Sequence, residues 1–352
     1  MAHVIAVLKR PWVRVLLQGL VSLALIAALV FAARSANLLS SFRAISPAAV
    51  VLAGGLQTVG FALNSRRWQI LLASAGISER LGNLTVLYFI GQFCSLFLPT
   101  GTGGDVVRTY EVARRNGRPA EAVLATLQER LLGLGASLLI GVVAVLYYLP
   151  LVPLQLRIWV LIIVAAGSVA IALLLYPRLL FALANWVWHA YGQRPLLKRL
   201  VQHRFVQRVI AVLRPIGELP PLPLARLLLL LCMALAAVLM GIGMYYVIGQ
   251  SMGLTVGLMS FCLAVPLVWI VRMAPVSLNG IGVGEGSFVF LMSLFGIPAS
   301  QSLALALAVL AVMSAAALAG GVLLAWRVAR GSWGVARRIP NEPATGVAHE
   351  HR

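Results

Sequence analysis

LPTGTGGDVVR, Leu98 to Arg108, breaks an apolar run with three glycines in five residues and then sets down a carboxylate. That residue, Asp105, is the sole aspartate among 352 residues. How this stretch is read decides whether the apolar segment before it crosses a membrane or dips in and returns.

The surrounding composition establishes the medium. Hydrophobic residues make up 61% of the chain and charged residues 11%, and the mean hydropathy is +0.97. A soluble domain carries about a quarter charged residues, so the chain reads as an all-α polytopic membrane protein. Full-length spans are expected at about 15–34, 48–65, 121–149, 157–175, 225–249 and 301–327. Each approaches or exceeds the roughly 20 residues that a spanning helix needs. The first run lacks a small-residue cleavage site and reads as a retained span. Two further apolar pieces, 81–98 and 254–272, each end in a Gly/Pro-rich break and a short helix. The breaks are Pro99–Gly104 and Ala274–Gly286.

The net charge is +19, from 28 basic and 9 acidic residues. In a soluble protein that balance would suggest nucleic acid. Here the positive-inside rule accounts for it, with attraction to anionic lipid headgroups at the cytoplasmic face as a further consequence. Lys9, Arg10 and Arg14 place the N-terminus inside. Arg114, Arg115 and Arg118 follow the first break, and they stay inside only if 81–116 dips in and returns. Arg327, Arg330, Arg337 and Arg338 place the C-terminus inside as well. The expected count is six full spans and two re-entrant helical hairpins, one from each side.

A weak internal repeat agrees with this. Gly117–Ala125 and Gly296–Ala304 both fit G-x-P-A-x-x-x-L-A, and each lies at a similar distance after an acidic residue, Asp105 and Glu285. Two copies of span, hairpin and span would run in opposite senses, giving an inverted-topology repeat. Residues 1–330 then form one transmembrane domain. Within it, 176–226 is a basic cytoplasmic loop whose segment 194–215 is amphipathic enough to lie in the membrane interface. Residues 331–352 form a polar tail.

Glycines 101, 103 and 104 permit unusual backbone angles and leave their amides unshielded. A helix starting near Asp105 presents a positive dipole end that suits an anion. That anion is either the Asp105 carboxylate acting as its own cap or a phosphate. Arg108, three residues on, shares a face with Asp105. The structural alternative is a plain cap paired with Arg108. Glu129–Arg130 enters the third long span, either as a snorkelling anchor or as a fork for a lipid phosphate. Arg272 and Glu285 flank the second break, with Gly280 and Gly282 in its turn. If the hairpins meet, all six charged residues could line one cavity. The cysteines, Cys94, Cys232 and Cys262, read as small buried hydrophobes. No metal-ligand spacing occurs, and no cofactor is expected.

With these residues in view, the chain resembles the flippase-like integral membrane family, the transmembrane part of lysylphosphatidylglycerol synthase. Phe97–Arg114, Arg118–Leu134, Ala274–Phe288 and Gly296–Pro298 carry the resemblance. They supply Pro-x-x-x-Gly-Gly-Asp with a following Arg, the Glu-Arg pair, and Gly-x-Gly-x-x-Glu. The resemblance covers about 10–330. It implies a bacterial inner-membrane protein that translocates or binds a phospholipid or lipid-linked substrate. Asp105, Arg108, Glu129, Arg130 and Glu285 stand at the motif positions. The aminoacyl-transfer domain of the best-known relatives is not present in these 352 residues, so lysyl-lipid synthesis is not expected. Two other classes compete. One is a non-catalytic subunit of a lipid-synthesis complex, which co-purification with a synthase would favour. The other is a membrane-embedded glycosyl- or phosphotransferase, which usually needs an acidic metal cluster.

Overall fold

The computed structural model describes residues 11–32, 40–98, 103–151, 157–158, 162, 165, 223–273, 277–331 and 333. Among these, the regular elements are helices: α1 Pro11–Ala32, α2 Pro47–Ser74, α3 Leu81–Ser95, α4 Gly103–Asn116, α5 Pro119–Tyr148, α6 Leu224–Ser251, α7 Leu258–Arg272, α8 Val283–Ser293 and α9 Ala299–Ala329, with short 3₁₀ turns at Leu149–Leu151 and Leu278–Gly280. Most of the expected span 157–175, the amphipathic segment 194–215 and nearly all of the 331–352 tail lie outside the described residues, as does Gly101.

Four of these helices, α2, α5, α6 and α9, are long and apolar enough to cross a membrane. In α1, Ser22–Phe31 is a shorter apolar stretch. The remaining helices come in two short pairs. Helices α3 and α7 have 15 residues each, α4 has 14 and α8 has 11. At 1.5 Å per residue the longest of these reaches about 22 Å, against a hydrocarbon core of about 30 Å. None can cross alone.

One boundary differs from the sequence expectation in an instructive way. The second span was expected to stop at residue 65, before Arg66 and Arg67. Helix α2 instead continues to Ser74. Arg67 is 4% exposed, because it turns inward to a carboxylate described below. The apolar stripe resumes after it with buried Trp68, Leu71 and Leu72, at helical spacing. The cysteines are corrected too. Cys262 is buried and Cys94 half-buried, but Cys232 is exposed. An apolar run specifies insertion, and an outward position on a spanning helix meets lipid rather than protein.

Eight of the helices fall into two sets of four, α2–α5 and α6–α9, of matching lengths. The long helices α2 and α6 have 28 residues each, and α5 and α9 have 30 and 31. Their packing matches as well. Within each set the first helix packs on the second and the fourth, the second on the third, and the third on the fourth. Between sets, α2 packs on α6, α3 on α9 as α7 on α5, and α5 on α6 as α9 on α2. Exchanging the sets leaves this pattern unchanged.

The helix ends match too. Gly76 after α2 (φ +80°) and Gly253 after α6 (φ +76°) take the left-handed conformation that closes a helix. In each case the next N–H reaches back to the last turn, Ile77 to the Leu72 carbonyl at 2.9 Å and Leu254 to the Gly249 carbonyl at 3.1 Å. Both of those side chains are buried. Helices α3 and α9 approach backbone to backbone. A methyl group on Gly320 would sit 2.0 Å from the Phe89 carbonyl oxygen.

Candidate functional site

The glycines before Asp105 serve close approach more than unusual angles. Gly103 and Gly104 are already helical. A Cβ on Gly104 would meet the Gly91 carbonyl oxygen at 2.1 Å and Ser95 Oγ at 2.5 Å. The Gly104 amide donates to Ser95 Oγ at 2.9 Å, so it is not open to an anion. This contact draws α4 onto α3 and fixes where its first turn projects its side chains.

That turn carries Asp105, and one turn later comes Arg108. The Asp105 carboxylate faces two guanidinium groups. Arg108 donates from Nε to Oδ1 at 3.0 Å and Arg130 donates from Nε to Oδ2. Arg108 also donates from Nη2 to Glu129 Oε2 at 2.6 Å. Its guanidinium lies between two aromatic faces, 4.3 Å from the Trp68 ring and 4.3 Å from the Tyr88 ring, the geometry of a double cation–π contact. Tyr88 donates its hydroxyl to Glu129 Oε1. Arg67 reaches the same oxygen at 3.4 Å and the Glu129 carbonyl at 3.3 Å. The indole of Trp68 is held by Thr126 Oγ1 at 3.1 Å, and Thr126 in turn lies 2.8 Å from Thr109 Oγ1.

The cluster therefore joins α2, α3, α4 and α5. Three guanidinium groups face two carboxylates, leaving one positive charge. Exposure is graded across it: the side chains of Arg108 and Glu129 are 2% exposed, Asp105 16% and Arg130 43%. Arg108 Nη1 and Arg67 Nε are buried with no acceptor among the described residues. Buried donors nearly always find an acceptor. The arrangement is a positive, donor-rich cluster, buried at Arg108 and exposed at Arg130.

Arg272 and Glu285 form a second, separate pair. Arg272 Nη2 donates to Glu285 Oε1 at 2.6 Å. The Gly282 amide donates to Glu285 Oε2 at 2.6 Å, so Glu285 caps α8. Gly280 (φ +72°) and Gly282 (φ +90°) do need the left-handed region here. Gly284 makes room for the Arg272 side chain, whose Nε would lie 2.0 Å from a Cβ. Glu285 is fully buried, and the pair is neutral. Among the described residues, the short pair α3–α4 makes no substantial packing contact with α7–α8. The six charged residues form a four-residue cluster and a two-residue pair.

Sequence reasoning missed Arg67, Trp68 and Tyr88. The continued stripe Trp68, Leu71, Leu72 was the available signal that Arg67 lies within a helix. It also missed a polar seam at the ends of α2, α4 and α9. There Glu79 accepts from Asn83 at 2.8 Å and from Asn116 at 3.0 Å. Arg115 pairs with buried Glu111 at 2.6 Å, and Arg327 donates to Asn83. Arg327, expected as a loop marker, is 7% exposed inside this seam. Among the described residues, no three His, Cys, Asp or Glu side chains come together as a metal site.

No curated protein matches the chain. A sequence family does: that described as the lysylphosphatidylglycerol synthase TM region matches residues 15–332. The match covers all nine described helices almost entirely, along with both charge clusters, and it agrees with the long apolar helices of a multi-pass membrane protein. The chain belongs to the lysylphosphatidylglycerol synthase transmembrane-region family.

Proposed function

We propose that this protein is a lipid flippase-like transporter of the bacterial inner membrane, and that the Asp105–Arg108–Glu129–Arg130 cluster receives the substrate headgroup. The single observation that carries the reading is that these four residues together with Arg67 form a cluster with one net positive charge, whose Arg108 Nη1 has no acceptor among the described residues and whose edge, Arg130, is exposed. A phospholipid phosphate supplies the missing negative charge and acceptor oxygens, and arginine is well suited to it. Asp105 and Glu129 hold the arginines in place, and they would also meet a cationic or protonated headgroup. A charged group inside a membrane is costly and marks function by default.

The proposed topology is six full spans with α3–α4 and α7–α8 as re-entrant hairpins, and both termini cytoplasmic. Helix lengths and the positive-inside rule support it. The matched packing of the two four-helix sets supports an inverted-topology repeat, an architecture suited to alternating access.

The test is translocation in proteoliposomes with labelled anionic, zwitterionic and aminoacylated phospholipids. Asp105→Ala and Arg130→Ala are expected to abolish transport of the lipid that the wild type moves, while both variants remain folded. Wild-type transport by both would remove this site from the mechanism.

A further inference from the structure

A cavity of about 390 Å³ lies between the end of α2 and the start of α6, lined by Arg66, Gln69, Ser74, Ser78, Glu79 and Arg226 among others. It is apart from the Asp105 cluster. From it we infer a second lipid site, which binds the phosphate of a phospholipid at the membrane surface.

Four observations support the assignment. The cavity holds two arginines whose partners among the described residues are neutral. Arg66 Nη1 donates to Gln69 Oε1 at 2.5 Å and Arg226 Nη1 to Ser74 Oγ at 3.2 Å. Such exposed guanidinium groups are free to exchange a neutral acceptor for a phosphate oxygen, which binds them about twice as strongly. Second, the one carboxylate in the lining, Glu79, is engaged from the far side, each oxygen accepting from an asparagine. The cavity keeps one net positive charge, and the Ser78 hydroxyl in its lining adds a donor. Third, its depth fits the phosphate level. Arg226 bridges to Ser74, the last residue of one spanning helix, from the first turn of another. Arg66 lies about two turns further along α2. Fourth, one turn into α6 from Arg226, Leu229 is 52% exposed, so acyl chains can descend beside the headgroup. A free phosphate shares the ionic chemistry but has no use for that apolar flank.

The site stands whether or not the Asp105 cluster translocates lipid. It is tested by titrating the full-length protein in detergent with phosphatidylglycerol, with diacylglycerol of the same chains and with inorganic phosphate. The expected result is binding of phosphatidylglycerol, weak binding of diacylglycerol, and no displacement by millimolar phosphate. Arg66→Gln with Arg226→Gln weakens the phosphatidylglycerol affinity roughly tenfold or more, and Asp105→Asn leaves that arginine-dependent part in place. Arg66→Lys with Arg226→Lys keeps both charges and most of the affinity, which separates loss of charge from loss of fold. The inference is overturned by unchanged affinity in the glutamine variant, by equal binding of diacylglycerol, or by inorganic phosphate taking the site in place of the lipid.

Discussion

The two four-helix sets share a packing plan and differ in what they bury. Arg67 and Trp68 of α2 stand where α6 has Met244 and Tyr245, the same distance from the helix end. Tyr88 of α3 corresponds to Val265 of α7, and Arg108 of α4 to Phe288 of α8. Aligned on G-x-P-A, Glu129 corresponds to Ala308. All five counterparts are buried, and all belong to one hydrophobic core. Where Arg108 lies between Trp68 and Tyr88, Phe288 packs on Tyr245 with ring centroids 5.1 Å apart. The second set is thus an internal control. It builds the same helix arrangement at these positions with no charge, so the arrangement itself does not require charge there. The acidic residue in the first turn of the short return helix is common to both. Glu285 is spent on its cap and on Arg272, whereas Asp105 faces Arg108 and Arg130.

The comparison can be sharpened by breaking each side. The largest effect is expected at Glu129. Glu129→Gln leaves Arg67 without a carboxylate in a protein interior and Arg108 with Asp105 alone, and an uncompensated buried charge costs about 3–5 kcal/mol. A large fall in thermal stability in detergent checks this, and wild-type stability would mean that the two arginines find other partners. A somewhat smaller effect is expected in the second set, where Arg272 is less buried than Arg67 and Arg108. Glu285→Gln abolishes one ion pair and weakens one helix cap, about 3 kcal/mol in all, with transport retained once the protein is folded. If Glu285→Gln ended transport while Asp105→Ala spared it, the functional assignment of the two sets would be reversed.

Much of this was legible in the sequence because it is local. The breaks, the acidic residue after each, and the G-x-P-A echo all lie within about thirty residues, and the structure puts helix ends at each of them. What was not legible is long-range. Arg67 meets Glu129 across 62 residues and Tyr88 meets it across 41. Hydropathy treats an arginine as the end of a span, and only the partner reveals that it is inside one. The glycines show the same limit. The sequence identifies Gly103 and Gly104 as special, and the structure shows that Gly104 permits the approach of α4 to Gly91 and Ser95 and Gly103 makes room for Leu98, while Gly280 and Gly282 are the ones needed for backbone conformation. The first turn of α4 is thus a docking surface for α3, from which Asp105 projects toward two arginines.

The central claim is that the charges of the first set serve function and not fold. The direct measurement transplants the second set's residues: Arg67→Met, Arg108→Phe and Glu129→Ala together, assayed for thermal stability and for lipid translocation in proteoliposomes. Replacing a buried ionic group by apolar residues of similar volume is often neutral or stabilising. The account predicts a folded protein, within about 1–2 kcal/mol of wild type, that no longer moves lipid. A triple variant that transports normally, or one that cannot fold, would contradict it.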